Sequence, residues 1–77
     1  MAIEILFFGS LTDVTAVSQL VADDLMDTDM VKGFLEAKYP SLKTAKYFIA
    51  VNQKMVQHNT IVKTGDTVAL MPPFSGG

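Results

Sequence analysis

The most chemically suggestive residues are the last ones, in "ALMPPFSGG". With Gly77 read as the C-terminus, the final polar group is an α-carboxylate on an arm whose last two residues lack Cβ atoms. Such an arm threads a narrow channel and offers its carboxylate to another protein's active site. Pro72 and Pro73 hold the arm extended and lower the entropy lost on insertion. Phe74 can anchor its base, and Ser75 and Gly76 complete the part that would insert. Against this reading stands ordinary chain-end behaviour, because small flexible residues are common at termini.

Other constellations offer less. His58 is the only histidine and sits in the polar stretch "QHNT", which reads as an exposed loop. Asp23, Asp24, Asp27 and Asp29 lack the spacing of a calcium loop and read as a solvated turn and helix cap, so no metal site is expected. Ser10, Ser18, Ser41 and Ser75 have no histidine at a motif spacing. "FFGS" is a single glycine after a strand, and no phosphate-cradling loop is present. Without cysteine there is no disulfide, thiolate metal site or cysteine nucleophile.

The elements that must carry the arm follow from periodicity. "AIEILFF" (2–8) reads as a central strand, with Ile3, Ile5 and Phe7 on one face and Glu4, Leu6 and Phe8 on the other. Residues 11–16 suggest a short helical turn and 17–23 a second strand. Asp27 or Thr28 can cap a helix that places Val31, Phe34 and Leu35 on one face, and Pro40 stops it. Gly33 inside that helix points to a close approach to the sheet. Strands are expected at 47–52, 55–58 and 67–71, with a loop at 59–66 that turns at Gly65-Asp66.

One helix covers one face of such a sheet and leaves the other open. The fold class is therefore α+β: a β-grasp with a mixed sheet of about five strands on one main helix. Residues 1–77 make one domain, with 72–77 as an extended C-terminal tail. The expected core is Ile3, Ile5, Phe7, Phe34, Leu35, Val51, Val56, Val68 and Leu70. Alternation sends Leu6, Phe8, Met55 and Met71 to the open face, which makes that face a candidate partner surface.

Composition narrows the function classes. A chain of 77 residues buries only about 60% of its unfolded surface, so its core must be dense, as 49% hydrophobic residues allow. A net charge of -2, with scattered lysines and no arginine, argues against nucleic acid. No run approaches the roughly 20 apolar residues of a membrane span, and "AIEILFFG" lacks the basic flank of a signal peptide. A cytoplasmic protein is expected.

"LFFG", "AVNQ" (50–53) and "KTGDTVALMPPFSGG" (63–77) resemble the small subunits of molybdopterin synthase, which are ubiquitin-like sulfur carriers. The resemblance covers essentially the whole chain. It is most specific at Gly65, Asp66, Val68, Ala69, Pro72, Pro73, Gly76 and Gly77. It implies that a ubiquitin-activating-like adenylyltransferase adenylates the Gly77 carboxylate with ATP. A sulfurtransferase or desulfurase then supplies the sulfur for a thiocarboxylate. The tail, Pro72 to Gly77, would insert into the large subunit and give sulfur to cyclic pyranopterin monophosphate. The carrier would be the non-catalytic small subunit of a heterotetramer. It would hold no permanent cofactor, and the large subunit would contact Phe8, Met55 and Met71.

One departure stands out: Thr12-Asp13 replaces an Arg-Glu pair that many members carry, which puts a salt bridge from that loop in doubt. Three other readings remain. A thiamin-thiazole sulfur carrier shares the fold and the terminal glycines, but usually not the Pro-Pro. A ubiquitin-like modifier would form isopeptide bonds through the same terminus. A plain interaction domain would not need Gly76 and Gly77.

Overall fold

The computed structural model describes residues 2–73. The elements run β1 (Ala2–Phe7), α1 (Leu11–Thr15), β2 (Gln19–Asp23), α2 (Thr28–Lys38), a 3-10 turn (Pro40–Lys43), β3 (Phe48–Val51), β4 (Lys54–Val56) and β5 (Thr67–Met71). The sheet order is β2-β1-β5-β3-β4. β1 and β5 pair in parallel at the centre, with Ile5 opposite Val68 and Phe7 opposite Leu70. The other neighbours pair antiparallel. This is the expected β-grasp.

Alternation decides the two faces. Ile3, Ile5 and Phe7 of β1, Val68 and Leu70 of β5, and Ile49 and Val51 of β3 are buried beneath α2. The helix begins at Asp27, whose Oδ1 accepts the Met30 N–H at 2.8 Å. Asn59 adds a second cap, its Oδ1 accepting the Asp29 N–H at 2.9 Å. Between these caps Thr28 N–H donates to the Thr60 carbonyl, and the Thr28 hydroxyl accepts the Thr60 N–H. Lys38 closes the last turn, where a cation is favoured.

The core differs from the expected one. Phe34 is 36% exposed, whereas Leu35 is fully buried. Thr28, Val31 and Leu35 form the stripe that meets the sheet, and Phe34 falls about 100° away from Leu35 around the helix. Leu42, from the 3-10 turn after Pro40, fills the core instead. Val56, on the short edge strand, is only partly buried against the core. Gly33 does not approach the sheet: no atom lies within 4 Å of where its Cβ would stand.

The stretch expected as plain loop also does more. Ile61 bridges to Asp27, and Val62 N–H donates to the Met26 carbonyl at 2.9 Å. Val62 is thereby buried, which ties the segment before β5 to the start of α2. The strands are shorter than expected: β2 begins at Gln19, β3 spans 48–51 and β4 spans 54–56. Among the described residues, no helix is long and apolar enough to cross a membrane.

The different burial of two adjacent helix residues is testable. Leu35→Ala should cost about 2–5 kcal/mol in chemical unfolding. Phe34→Ala should cost less than about half of that, because its side chain keeps contact with water. Equal losses would place Phe34 in the core.

Candidate functional site

The uncovered sheet face is the candidate site. Leu6 of β1, Ala50 of β3, and Thr67, Ala69 and Met71 of β5 line a shallow groove of about 490 Å³, with Phe8 at one end and Asn52 and Gln53 at the other. Register sets the neighbours: Ala50 lies between Ala69 and Met55, and Phe48 lies beside Met71. Such directly paired side chains stand about 4.5–5.5 Å apart at Cβ, so they form one continuous apolar surface. Phe8 is 47% exposed and Met55 57%. Leu6 and Met71 are half-buried.

All four residues expected on the open face therefore share it. Phe48, Ala50 and Ala69 also belong to the surface. In "YFIAVN" the sequence offers two apolar sets, Phe48 with Ala50 and Ile49 with Val51. Only the pairing of β3 with β5 shows which set turns outward.

The two ends of the groove are fixed by different devices. At the β3–β4 turn, Asn52 and Gln53 adopt φ of 50° and 71°. Asn52 Nδ2 donates to Asp66 Oδ1 at 3.0 Å, and Asn52 Oδ1 accepts the Thr67 N–H at 3.0 Å. Asp66 Oδ2 accepts the Lys63 N–H at 2.8 Å. These bonds hold the Asp66 carboxyl below its usual range, the bond from Asn52 contributing most. The Gly65-Asp66 turn stands as expected, with Gly65 at φ 88°.

At the other end, Phe8 N–H donates to the Leu70 carbonyl at 3.0 Å. Gly9 then turns at φ 57°, and a Cβ there would come within 3.0 Å of Pro72 Cγ. Glycine lets the two chain segments pass closely. Pro72 and Pro73 follow β5 directly and are half-buried. Phe74, Ser75, Gly76 and Gly77 lie outside the described residues.

Among the described residues, no three His, Asp or Glu side chains gather in a way that could hold a metal ion. A cleft of about 260 Å³ between α2 and β3–β4 is lined by Asp29, Lys32, Tyr47 and His58, among others. The Tyr47 hydroxyl donates to Glu36 Oε2 at 3.3 Å. Burial first, then the Glu36 charge and this bond, push the Tyr47 pKa up to about 12, so the phenol stays protonated at neutral pH. His58 is exposed on the rim.

A five-stranded mixed sheet with one face covered by a helix and the other open and apolar is a ubiquitin-like β-grasp. The chain belongs to the ThiS family, whose model matches residues 5–77, and is of sulfur-carrier type. It is 29% identical over 80 residues to the molybdopterin synthase sulfur carrier subunit of Haemophilus influenzae, covering 97% of this chain and 99% of that one. A structure of the complex of subunits 1 and 2 of the molybdopterin-converting factor from Helicobacter pylori matches with TM-score 0.78 and 26% identity over the whole of both chains. Small archaeal modifier protein 1 of Methanosarcina acetivorans has the same fold, with TM-score 0.83 and 22% identity over 99% of this chain and 96% of that one.

Two outcomes are expected. Because the Asp66 carboxyl titrates below its unfolded value, its stabilisation is present above about pH 4 and lost as pH falls through the folded value. The difference in melting temperature between the parent and Asp66→Asn should therefore shrink on acidification; a constant difference would contradict this. Because Met71 faces out and Leu70 in, Met71→Asp should leave a cooperative thermal transition, whereas Leu70→Asp should abolish it.

Proposed function

We propose that the chain is the sulfur carrier of molybdenum cofactor biosynthesis and acts as the small subunit of molybdopterin synthase. One observation supports this most: Ala69 and Met71 of the open face lie on β5, the strand that leads straight into Pro72 and Pro73. A partner gripping the face therefore receives the tail in a fixed direction. The Haemophilus relative is named as this subunit, and the Helicobacter neighbour is a complex with subunit 2.

In this reading the Gly77 carboxylate attacks the α-phosphate of ATP on a ubiquitin-activating-like adenylyltransferase, and pyrophosphate leaves. This step is needed because a carboxylate is a poor electrophile. The outer sulfur of a persulfide on a sulfurtransferase or desulfurase displaces AMP, and a thiol reductant then cleaves the acyl disulfide so formed and leaves a thiocarboxylate. The large subunit then admits the tail, Pro72 to Gly77, and provides the acid–base groups for sulfur transfer to cyclic pyranopterin monophosphate. Phe8, Met55 and Met71 contact that subunit, with Leu6 beside them. Water regenerates the carboxylate. The carrier is a co-substrate and holds no cofactor of its own, and two carriers sit on a large-subunit dimer.

Intact mass after incubation with the activating enzyme, ATP and a sulfur donor tests the reading. A gain equal to one sulfur replacing one oxygen, localised to Gly77, is expected, and Gly76→Val should then block transfer to the pterin while the protein stays folded. An unchanged mass, with the enzyme active on a control carrier, would overturn it. Gly77-dependent conjugates to lysines would instead assign the modifier role.

A further inference from the structure

The sheet has an edge that no element of the described residues covers. β2 closes one side and pairs only with β1. Phe7 N–H donates to the Ser18 carbonyl at 2.9 Å, which fixes the parity of the ladder. In that register Leu20 and Ala22 face their β1 partners through hydrogen bonds, so the backbone N–H and C=O of Gln19 and Val21 point away from the sheet. Natural edges are usually blunted by lysine, proline or a bulge. β2, "QLVAD", has neither lysine nor proline, and Val21 is 63% exposed.

The surroundings of this edge are apolar on the helix side and acidic on the other. Asp29 and Lys32 of α2 line the cleft against β3 and β4. Met30 and Phe34, on the opposite flank of the helix, therefore turn toward the β2 end, and both are exposed. Charge is also unevenly spread along the sequence. Residues 1–31 carry six acidic residues and no lysine, and residues 32–77 carry all six lysines with two acidic residues. Glu4 lies opposite Val21, Asp23 ends β2, and Asp24 follows it. Lys54 stands on β4, at the far edge of the sheet.

We propose that the β2 edge is a second docking site, which takes an extended segment of a partner protein as a sixth strand. The segment alternates apolar residues, directed toward Met30 and Phe34, with basic residues, directed toward Glu4 and Asp23. Main-chain bonds to Gln19 and Val21 give the affinity and the acidic rim selects the charge. A second copy docking through its own β2 would set acid against acid. The edge lies two strands away from β5, which carries Ala69 and Met71 of the open face.

The test uses the intact chain and two capped pentapeptides, Lys-Val-Lys-Val-Lys and Glu-Val-Glu-Val-Glu, in an amide NMR titration. The basic peptide should shift Gln19, Val21, Met30 and Phe34 and bind at least about tenfold more tightly than the acidic one, the preference falling as salt rises. Val21→Pro removes the outward N–H without costing a β1 bond and should weaken binding about fivefold or more. Val21→Lys keeps that N–H and should weaken it through charge, which gives a second variant should the proline variant not fold. Shifts centred on Ala50 and Ala69 would overturn the proposal. So would equal response to both peptides, or unchanged binding by the folded variants. Concentration-dependent shifts at β2 and β4 without peptide would assign the edge to a second copy and likewise overturn it.

Discussion

The parallel pairing of β1 with β5 is the constraint on which the rest depends. Parallel neighbours cannot be joined by a tight turn, so the chain must leave the sheet and return. Residues 8–66 make that excursion and place α2 across one face. Both central strands then run the same way. The Leu70 carbonyl meets the Phe8 N–H, and the segment after Met71 emerges beside the Gly9 turn. The position of Pro72 is thus set by the middle of the sheet, where the backbone is best held. A tail leaving from an edge strand would lack that support.

A second consequence follows from size. One helix of 11 residues covers one face of a five-stranded sheet and nothing more. The covered face takes the branched and bulky residues of β1, β3 and β5. The other keeps Phe8, Phe48, Met55 and Met71 in contact with water. Apolar area left uncovered in so small a protein costs solubility and marks a candidate partner surface. Methionine suits such a surface, because its unbranched side chain repacks against differently shaped partners. Fixed ends matter as much as the apolar middle. Asn52 and Asp66 lock one end of the groove through four hydrogen bonds, counting the Asn52 N–H to Thr67 carbonyl bond. Close passage of Gly9 and Pro72 fixes the other.

Charge follows the same topology only in part. β2, which ends at Asp23, and β4, which carries Lys54, end up on opposite edges of the sheet, whereas Asp29 lies with Lys32 in the cleft against β3 and β4.

Much of this was legible in the residues. The strict alternation of Ile3, Ile5 and Phe7 against Leu6 and Phe8 determined the faces of β1, because side-chain direction in a strand follows from parity alone. The same holds for "TVALM". Asp27 as a cap and Pro40 as a stop determined the limits of α2, because both act through their own backbone. Phe34 and Gly33 were misread because helix periodicity ranks neighbours without fixing the angle at which a helix meets its sheet. That angle decides whether Phe34 or the distant Leu42 fills the space beside Leu35. Val62 was missed because its burial depends on a bridge to residues far away in sequence. The sequence by itself determined the element types and the open face of β1 and β5. Tertiary structure alone decided that Phe48 and Ala50 join that face and that Pro72 lies against Gly9. Each of these rests on a register between strands distant in sequence, and no local pattern of side chains specifies it.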